Sequence, residues 1–206
     1  MEFKEIIEKI ISLPGCFVVF EETCNTNKNK TNSSNYVYLD IFKESERAEI
    51  VLSVFNKSKK NSMDLLNEAR LLLENKSYAR AVALAIMSYE ELGKSQIAAD
   101  YYSGILPESE YKKAFKNHEK TSYANRYAAI GTHEKVKHGY FVDKDVAKTL
   151  EQIRQSALYV DENNDPSVNF TEEDADLIIR KVSEHHESIQ HAEWSNERIG
   201  SKALFK

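Results

Sequence analysis

The chain of 206 residues has only two cysteines, Cys16 and Cys24. Two thiols are too few for a disulfide framework or for a four-ligand zinc site. The sequence also lacks a run of 18 apolar residues, which a membrane-spanning helix would need. Its first residues, MEFKEIIEKII, carry acids and have no secretory apolar core. We therefore expect a cytoplasmic protein with free thiols and no membrane contact.

A general excess of basic charge is missing as well, because the formal net charge is −5. Residues 112–138 depart from this balance, since they carry seven Lys or Arg and two acids, together with three of the six histidines. Basic side chains with aromatic residues between them can follow phosphates and stack bases, although a solvated helix face has the same composition. The predicted RNA-binding residues are Lys112, Lys113, Lys116, Lys120, Arg126, Lys135 and Lys137.

Residues 77–100, SYARAVALAIMSYEELGKSQIAAD, predict a long central helix. The stretch AVALAIMSY has no charged residue, so this half of the helix should be almost surrounded by protein. The helix becomes polar at EELGK, where Glu90 and Lys94 are i,i+4 partners beside the apolar face. Gly93 weakens a helix by about 1 kcal/mol relative to alanine. Its presence suggests that a backbone or a ligand approaches closely.

The other segments predict an antiparallel helical bundle over residues 57–206 and a small appendage over residues 1–56. Residues 3–11 predict a short helix, and residues 16–21 and 36–42 predict a β-hairpin. Residues 49–55 are compatible with a third strand or with a helix. The bundle helices are predicted at 61–76, with Asn61 or Ser62 as its N-cap, then at 77–100, at 108–130, from Asp143 to about 158, and after a capping-box sequence at 171–174.

Residues 71–98, LLLENKSYARAVALAIMSYEELGKSQIA, resemble the AbiV abortive-infection family of the HEPN superfamily. The resemblance extends over about residues 61–170, because His118 with Lys120, Arg154 and the segment LYVD at 158–161 follow in the family's order. It implies a mainly α, HEPN-like bundle that acts in phage defence. HEPN proteins are commonly homodimers that cut RNA without a metal or another cofactor. A phage-encoded activator protein is a further partner that the resemblance suggests.

The same resemblance implies catalytic roles for a set of separated residues. His118 would transfer protons, because its pKa lies near neutrality, and Glu90 or Glu91 would orient it or bind a cation. Phosphate would be held by the cations Lys94, Lys120 and Arg154. Each role has a plainer alternative: a surface histidine for His118, and an ion pair with an acid of the bundle for Arg154. Tyr159, within LYVD, is more typical of packing than of chemistry.

Alternative sites and functions remain open at this level. Many HEPN nucleases carry Arg-x(4–6)-His, and Arg180 with His185 or His186 on the last helix is the runner-up catalytic set. His185 also lies on the apolar face of that helix, as a core histidine would. A non-catalytic HEPN module that senses a phage protein or blocks translation by binding RNA or the ribosome is the alternative function. A metal site at Glu90, Glu91 and His118 lacks the repeated Glu-x-x-His pairs of di-metal bundles.

Overall fold

The computed structural model describes residues 46–102, 108–116, 120–121 and 144–191. Within these residues it contains α1 (Glu46–Glu74), α2 (Tyr78–Tyr102), α3 (Glu108–Lys116), α4 (Lys144–Leu158), α5 (Pro166–Asn169) and α6 (Glu172–His191). None of these residues forms a strand; the only extended pairing among them is a single antiparallel bridge between Asp161 and Asn164. The predicted mainly α bundle is confirmed, and the predicted N-terminal helix and β-hairpin lie outside the described residues.

Helix α1 is longer than the sequence predicted. Its start at Asn61 or Ser62 was wrong, because the helix begins at Glu46 and continues without a break to Glu74. Ser62 lies in the middle of α1, where it is buried and donates a hydrogen bond to the carbonyl oxygen of Ser88 on α2 at 2.6 Å. Its hydroxyl therefore joins two helices instead of capping one.

The start of α1 belongs to the core of the bundle. Residues 49–55 are helical, which excludes the strand interpretation. Val51 and Phe55 of this segment are buried in the core. The predicted boundary after residue 56 lies inside α1. The division into a 1–56 appendage and a 57–206 bundle stays a prediction, since most of the first part lies outside the described residues.

A tight turn joins α1 to α2 and reverses the chain. The amide of Lys76 donates to the carbonyl of Leu73 at 2.9 Å, and the amide of Ser77 donates to the carbonyl of Leu72 at 2.8 Å. This is the hydrogen-bond pattern of a Schellman motif, which requires a left-handed residue after the helix. Lys76 takes that position with a φ of 58°. The turn places α2 against α1 as the predicted antiparallel pair.

Replacing Lys76 with glycine is expected to raise the free energy of unfolding by about 0.5–1 kcal/mol. A left-handed conformation costs a residue with a Cβ about 1–2 kcal/mol, and the greater freedom of glycine in the unfolded chain offsets part of this gain. Urea titration measures the change. Asn75→Gly, one residue earlier, is the control and should destabilise, because the Asn75 side chain donates to the carbonyl of Leu71 at 2.7 Å. A less stable Lys76→Gly variant would contradict the strain at this turn.

Helix α2 is the centre of the bundle, as the sequence predicted. It packs against each of the other helices in the described part of the chain. Its first half is buried almost completely, and the small side chains there let neighbouring helices approach closely. The buried apolar residues of α2 between 81 and 99 are Ala81, Val82, Ala83, Ala85, Ile86, Tyr89, Leu92, Ile97, Ala98 and Ala99.

Helices α4 and α6 pack on α2 through apolar faces. Leu150, Ile153 and Ala157 of α4 are buried, and Ala175, Ile178 and Val182 of α6 are buried as well. The predicted capping box at the start of α6 is confirmed: Asp174 N donates to Thr171 Oγ1 at 3.2 Å, and Thr171 N donates to Asp174 Oδ2 at 2.9 Å. No helix in the described residues has a stretch long and apolar enough to cross a bilayer.

Candidate functional site

The packing of α4 against α2 brings two predicted catalytic residues together. Nε of Arg154 on α4 lies 3.4 Å from Oε1 of Glu90 on α2. The Glu90 side chain is 15% exposed and that of Arg154 is 16% exposed, so this ion pair is largely shielded from water. Glu90 and Arg154 are far apart in sequence but meet because each lies on the side of its helix that faces the other helix.

Arg154 is held along one edge of its guanidinium by Glu151, one turn earlier on α4. Nε donates to Glu151 Oε2 at 3.0 Å, and Nη2 donates to both carboxylate oxygens at 2.7 Å. Burial alone would lower the pKa of Arg154, but the Glu151 hydrogen bonds and the Glu90 charge raise it, so the group stays cationic. Within the described residues no acceptor bonds to Nη1, and this part of the fork is available to an anion.

Glu90 is the most unusual group of the cluster. Burial raises the pKa of its carboxyl group, against the opposing charges of Arg154, Lys120 and Lys94. Its Oε1 is buried and receives no hydrogen bond from any described residue. An unsatisfied buried polar group destabilises a fold by about 1–3 kcal/mol. Such a group is typical of functional sites, where chemistry and not stability has selected the side chain.

Lys94 and Glu91 form the second ion pair of the motif. The Lys94 ammonium donates to Glu91 Oε1 across one turn of α2, and these side chains are 26% and 16% exposed. The sequence had predicted Glu90 as the i,i+4 partner of Lys94. The structure directs Glu90 toward Arg154 instead, and Lys94 pairs with the acid that remains. Gly93, between these residues, is buried.

His118 lies outside the described residues, so its predicted role stays a prediction. Lys120, two positions later, is described, and its charge acts on Glu90. The chain that follows His118 therefore runs beside the cluster. We name Glu90, Glu91, Lys94, Lys120, Glu151 and Arg154 the EELGK cluster.

The predicted RNA-binding lysines of α3 are on the surface. Lys112, Lys113 and Lys116 are exposed, while Tyr111 and Ala114 of the same helix are buried. Lys112 pairs with Glu108 at 2.8 Å, which compensates part of this charge. Arg126, Lys135 and Lys137 lie outside the described residues.

The runner-up set is divided between the surface and the interior. Arg180 is 55% exposed and pairs with Asp176 at 3.8 Å. His186 is buried, with Nε2 2.8 Å from Ser62 Oγ, and His185 Nε2 lies 3.4 Å from the Tyr89 hydroxyl. Burial lowers the pKa of each histidine to about 4, so both imidazoles are neutral at pH 7. The described contacts direct these histidines toward α1 and α2, and Arg180 toward solvent.

Reasoning from sequence missed one group of the site, Glu151, and one buried hydroxyl, that of Thr121, next to Lys120 in sequence. Glu151 positions Arg154, and its i,i+3 spacing from that arginine was a usable signal. Thr121 is buried beside Lys120, and its hydroxyl has no hydrogen-bond partner among the described residues. Nothing in the local sequence marks that threonine, because its burial depends on how the bundle closes.

The fold and the site define a class of protein: a helical bundle whose central helix carries a shielded cluster of acids and cations. A comparison with protein-family models matches HEPN_AbiV, described as AbiV, over residues 50–187. The chain therefore belongs to the AbiV family of abortive-infection HEPN-domain proteins, as the resemblance indicated. The matched region begins within α1, in agreement with the burial of Val51 and Phe55. Searches of curated proteins and of solved structures gave no significant match.

Proposed function

We propose that this protein is an abortive-infection effector that cleaves RNA at the EELGK cluster without a metal ion. The observation that carries the proposal is the position of Glu90: a shielded carboxyl with a raised pKa, surrounded by the charges of Arg154, Lys120 and Lys94. Cleavage by a ribose hydroxyl needs groups that move protons beside cations that stabilise phosphate. This cluster contains the cations and one such proton-binding group.

Arg154 is the group that we propose to bind the scissile phosphate. Glu151 fixes the plane of its guanidinium, so Nη1, which has no acceptor among the described residues, points in one direction before any ligand arrives. A preorganised donor of this kind stabilises negative charge without reorganising during the reaction. Lys94 and Lys120 place two further positive charges near the Glu90 carboxyl. They would assist Arg154 in phosphate binding as point charges.

His118 is the group that we propose for proton transfer, with Glu90 as its positioning residue. The charge of Lys120, two residues after His118 in sequence, acts on Glu90, and Oε1 of Glu90 can accept a hydrogen bond from an imidazole N–H. A base removes the proton of the 2′-hydroxyl, and the 2′-oxygen attacks the adjacent phosphorus. The bond from phosphorus to the 5′-oxygen breaks, and an acid protonates that oxygen. The products are a 2′,3′-cyclic phosphate and a 5′-hydroxyl.

The proposal includes two kinds of protein partner. A homodimer would form the RNA groove where two protomers meet, and a phage-encoded protein would activate the enzyme during infection. Both follow from membership of the family together with the resemblance described above. Restraint before infection is consistent with the present contacts, because Glu91 and Glu151 already occupy part of the donor capacity of Lys94 and Arg154.

Glu90→Gln is expected to reduce the RNA cleavage rate by on the order of 100-fold, because the amide misplaces the proton-transferring group. Its melting temperature should be unchanged or higher. Folding raises the pKa of the Glu90 carboxyl. Such a group contributes fully to the free energy of unfolding below its unfolded pKa, and this contribution is lost as the pH rises through its folded pKa. The charged form of Glu90 is therefore unfavourable in the folded protein at pH 7. The measurement is cleavage of total RNA in EDTA, with thermal unfolding followed by circular dichroism.

Two control variants make this experiment specific. Glu68→Gln makes the same chemical change on the exposed face of α1 and should leave cleavage unchanged. Arg180→Ala changes the runner-up set outside the EELGK cluster and should also remain active. If Glu90→Gln cleaves RNA at the wild-type rate and Arg180→Ala does not cleave it, the active site lies at Arg180 and its neighbouring histidines and not at the EELGK cluster.

A non-catalytic binding module is the second candidate function. The observation that favours it is the internal compensation of charge, since Arg154 and Lys94 both have acidic partners in the folded chain. Such a module would bind RNA or the ribosome and leave RNA intact. Retained binding without cleavage by the wild-type protein, with or without added Mg²⁺, would select this function.

A further inference from the structure

Large apolar side chains are exposed directly after α4, beside the EELGK cluster. Tyr159 is 61% exposed and Val160 is 76% exposed. The sequence had favoured a packing role for Tyr159, but a side chain that keeps most of its surface in water contributes little to a core. The exposed aromatic ring therefore needs another explanation.

The backbone that carries this ring is fixed by a dense set of hydrogen bonds. Tyr159 N donates to the carbonyl of Gln155 at 3.0 Å, and the side-chain amide of Asn164 donates to the carbonyls of Tyr159 and Ser156. The side-chain oxygen of Asn164 also accepts a hydrogen bond from Asn169 at 2.9 Å. This corner is ordered by its own contacts, so a ligand that binds Tyr159 does not have to order the backbone.

Tyr159 is also close to the proposed phosphate-binding group. It directly follows the last residue of α4, Leu158, and is five residues after Arg154, which lies within that helix. A flat apolar ring beside a cation with a free donor matches a nucleotide, which carries a flat base and a phosphate on neighbouring positions. An exposed tyrosine is also common at protein interfaces, so the ring alone does not select the ligand. The arginine on the preceding helix, which can bind a phosphate, favours a nucleotide.

We infer that Tyr159 is a stacking platform for an unpaired RNA base whose phosphate is bound at Arg154. This inference rests on the proposed function and specifies its substrate: single-stranded RNA is preferred over a duplex, because a paired base is not free to stack on a protein side chain. Tyr159 is a binding and specificity residue in this arrangement, and it transfers no proton.

The test uses a single-stranded RNA that carries 2′-O-methyl groups, since this probe binds but lacks the attacking hydroxyl. Tyr159→Ala is expected to weaken its binding by about 10- to 100-fold, which is the usual effect of removing one base–aromatic stack. Tyr159→Phe and Tyr159→Trp retain a flat ring and should bind within about threefold of the wild type. Val160→Ala is the matched control for exposed apolar area and should bind as the wild type does. Melting temperatures establish that every variant is folded.

The outcomes separate this inference from the proposed catalysis. Weak RNA binding by Tyr159→Ala, and by no other variant, supports stacking. This holds even when the wild type leaves unmodified RNA intact, because that result would overturn only the catalytic proposal. Equal binding by Tyr159→Ala and the wild type overturns stacking while cleavage can stand. Equal losses of RNA binding in Tyr159→Ala and Val160→Ala would show that exposed apolar area and not a flat ring is responsible. A changed molecular mass of Tyr159→Ala in solution would show that this surface joins protomers, and either result overturns stacking. Absence of wild-type binding, or tighter binding of the duplex, also overturns it.

Discussion

Arg154→Ala is expected to reduce the rate of RNA cleavage by about 100- to 1,000-fold, which is the typical effect of removing one preorganised donor from a transition state. The guanidinium lies against Glu90 and is oriented by three hydrogen bonds to Glu151. Arg154→Lys should restore little activity, because an ammonium group has no planar fork and cannot contact Glu151 and a phosphate with the same geometry. Single-turnover cleavage of a labelled RNA measures both variants.

Controls on the same helix separate catalysis from folding. Lys148→Ala removes an exposed cation of α4 and should leave the rate unchanged. Glu151→Gln keeps one acceptor for Arg154 and should reduce the rate by about 10-fold, less than the loss of the arginine itself. A folded Arg154→Ala variant that cleaves RNA at the wild-type rate would exclude Arg154 from the active site.

Acidification from pH 7 to pH 4.5 is expected to reduce the free energy of unfolding by about 2–3 kcal/mol for each of two buried histidines. Burial lowers the pKa of His185 and of His186 to about 4. In the unfolded chain both groups bind protons near pH 6.5, so between pH 6.5 and pH 4 the unfolded state takes up more protons. Their contribution to stability is therefore complete above pH 6.5 and is lost as the pH falls through this window.

The charges around His186 act in the same direction as burial, whereas the larger charge effect at His185 opposes it. Lys181 lowers the pKa of His185 while Glu184 raises it, and Lys59 and Arg70 lower that of His186. Urea unfolding at several pH values measures the slope. His186→Gln retains a donor for Ser62 without a titrating group and should remove about half of the pH dependence. An unchanged slope in a variant that lacks both imidazoles would contradict this origin.

The centre of the fold was predictable because its pattern is local. The uncharged stretch at residues 81–89 of α2 and the capping box at Thr171 each carry their signal within a few residues. The contact between Glu90 and Arg154 was anticipated only through the resemblance, since the two residues are far apart in sequence. The hydrogen bond between Glu151 and Arg154 follows from helical spacing alone.

The start of α1 could not be predicted because serines interrupt its apolar pattern. Phe55, Ser58, Ser62, Leu66 and Ala69 are all buried at helical spacing, but the two serines gave the inner face a polar appearance. The lysines at 57, 59 and 60 interrupt the apolar pattern further. Ser62 is satisfied by Ser88 and His186 from two other helices, and such partners are defined only by the tertiary packing.

The chemical nature of the RNA ends tests the central claim most directly. Purified protein is incubated with RNA in EDTA, and the 3′ ends of the fragments are identified by mass spectrometry. Attack by the 2′-hydroxyl predicts 2′,3′-cyclic phosphate ends in the wild-type reaction, with strong reduction in Glu90→Gln and Arg154→Ala. Intact RNA, 3′-hydroxyl ends, or cyclic ends produced equally by both folded variants would contradict catalysis at the EELGK cluster.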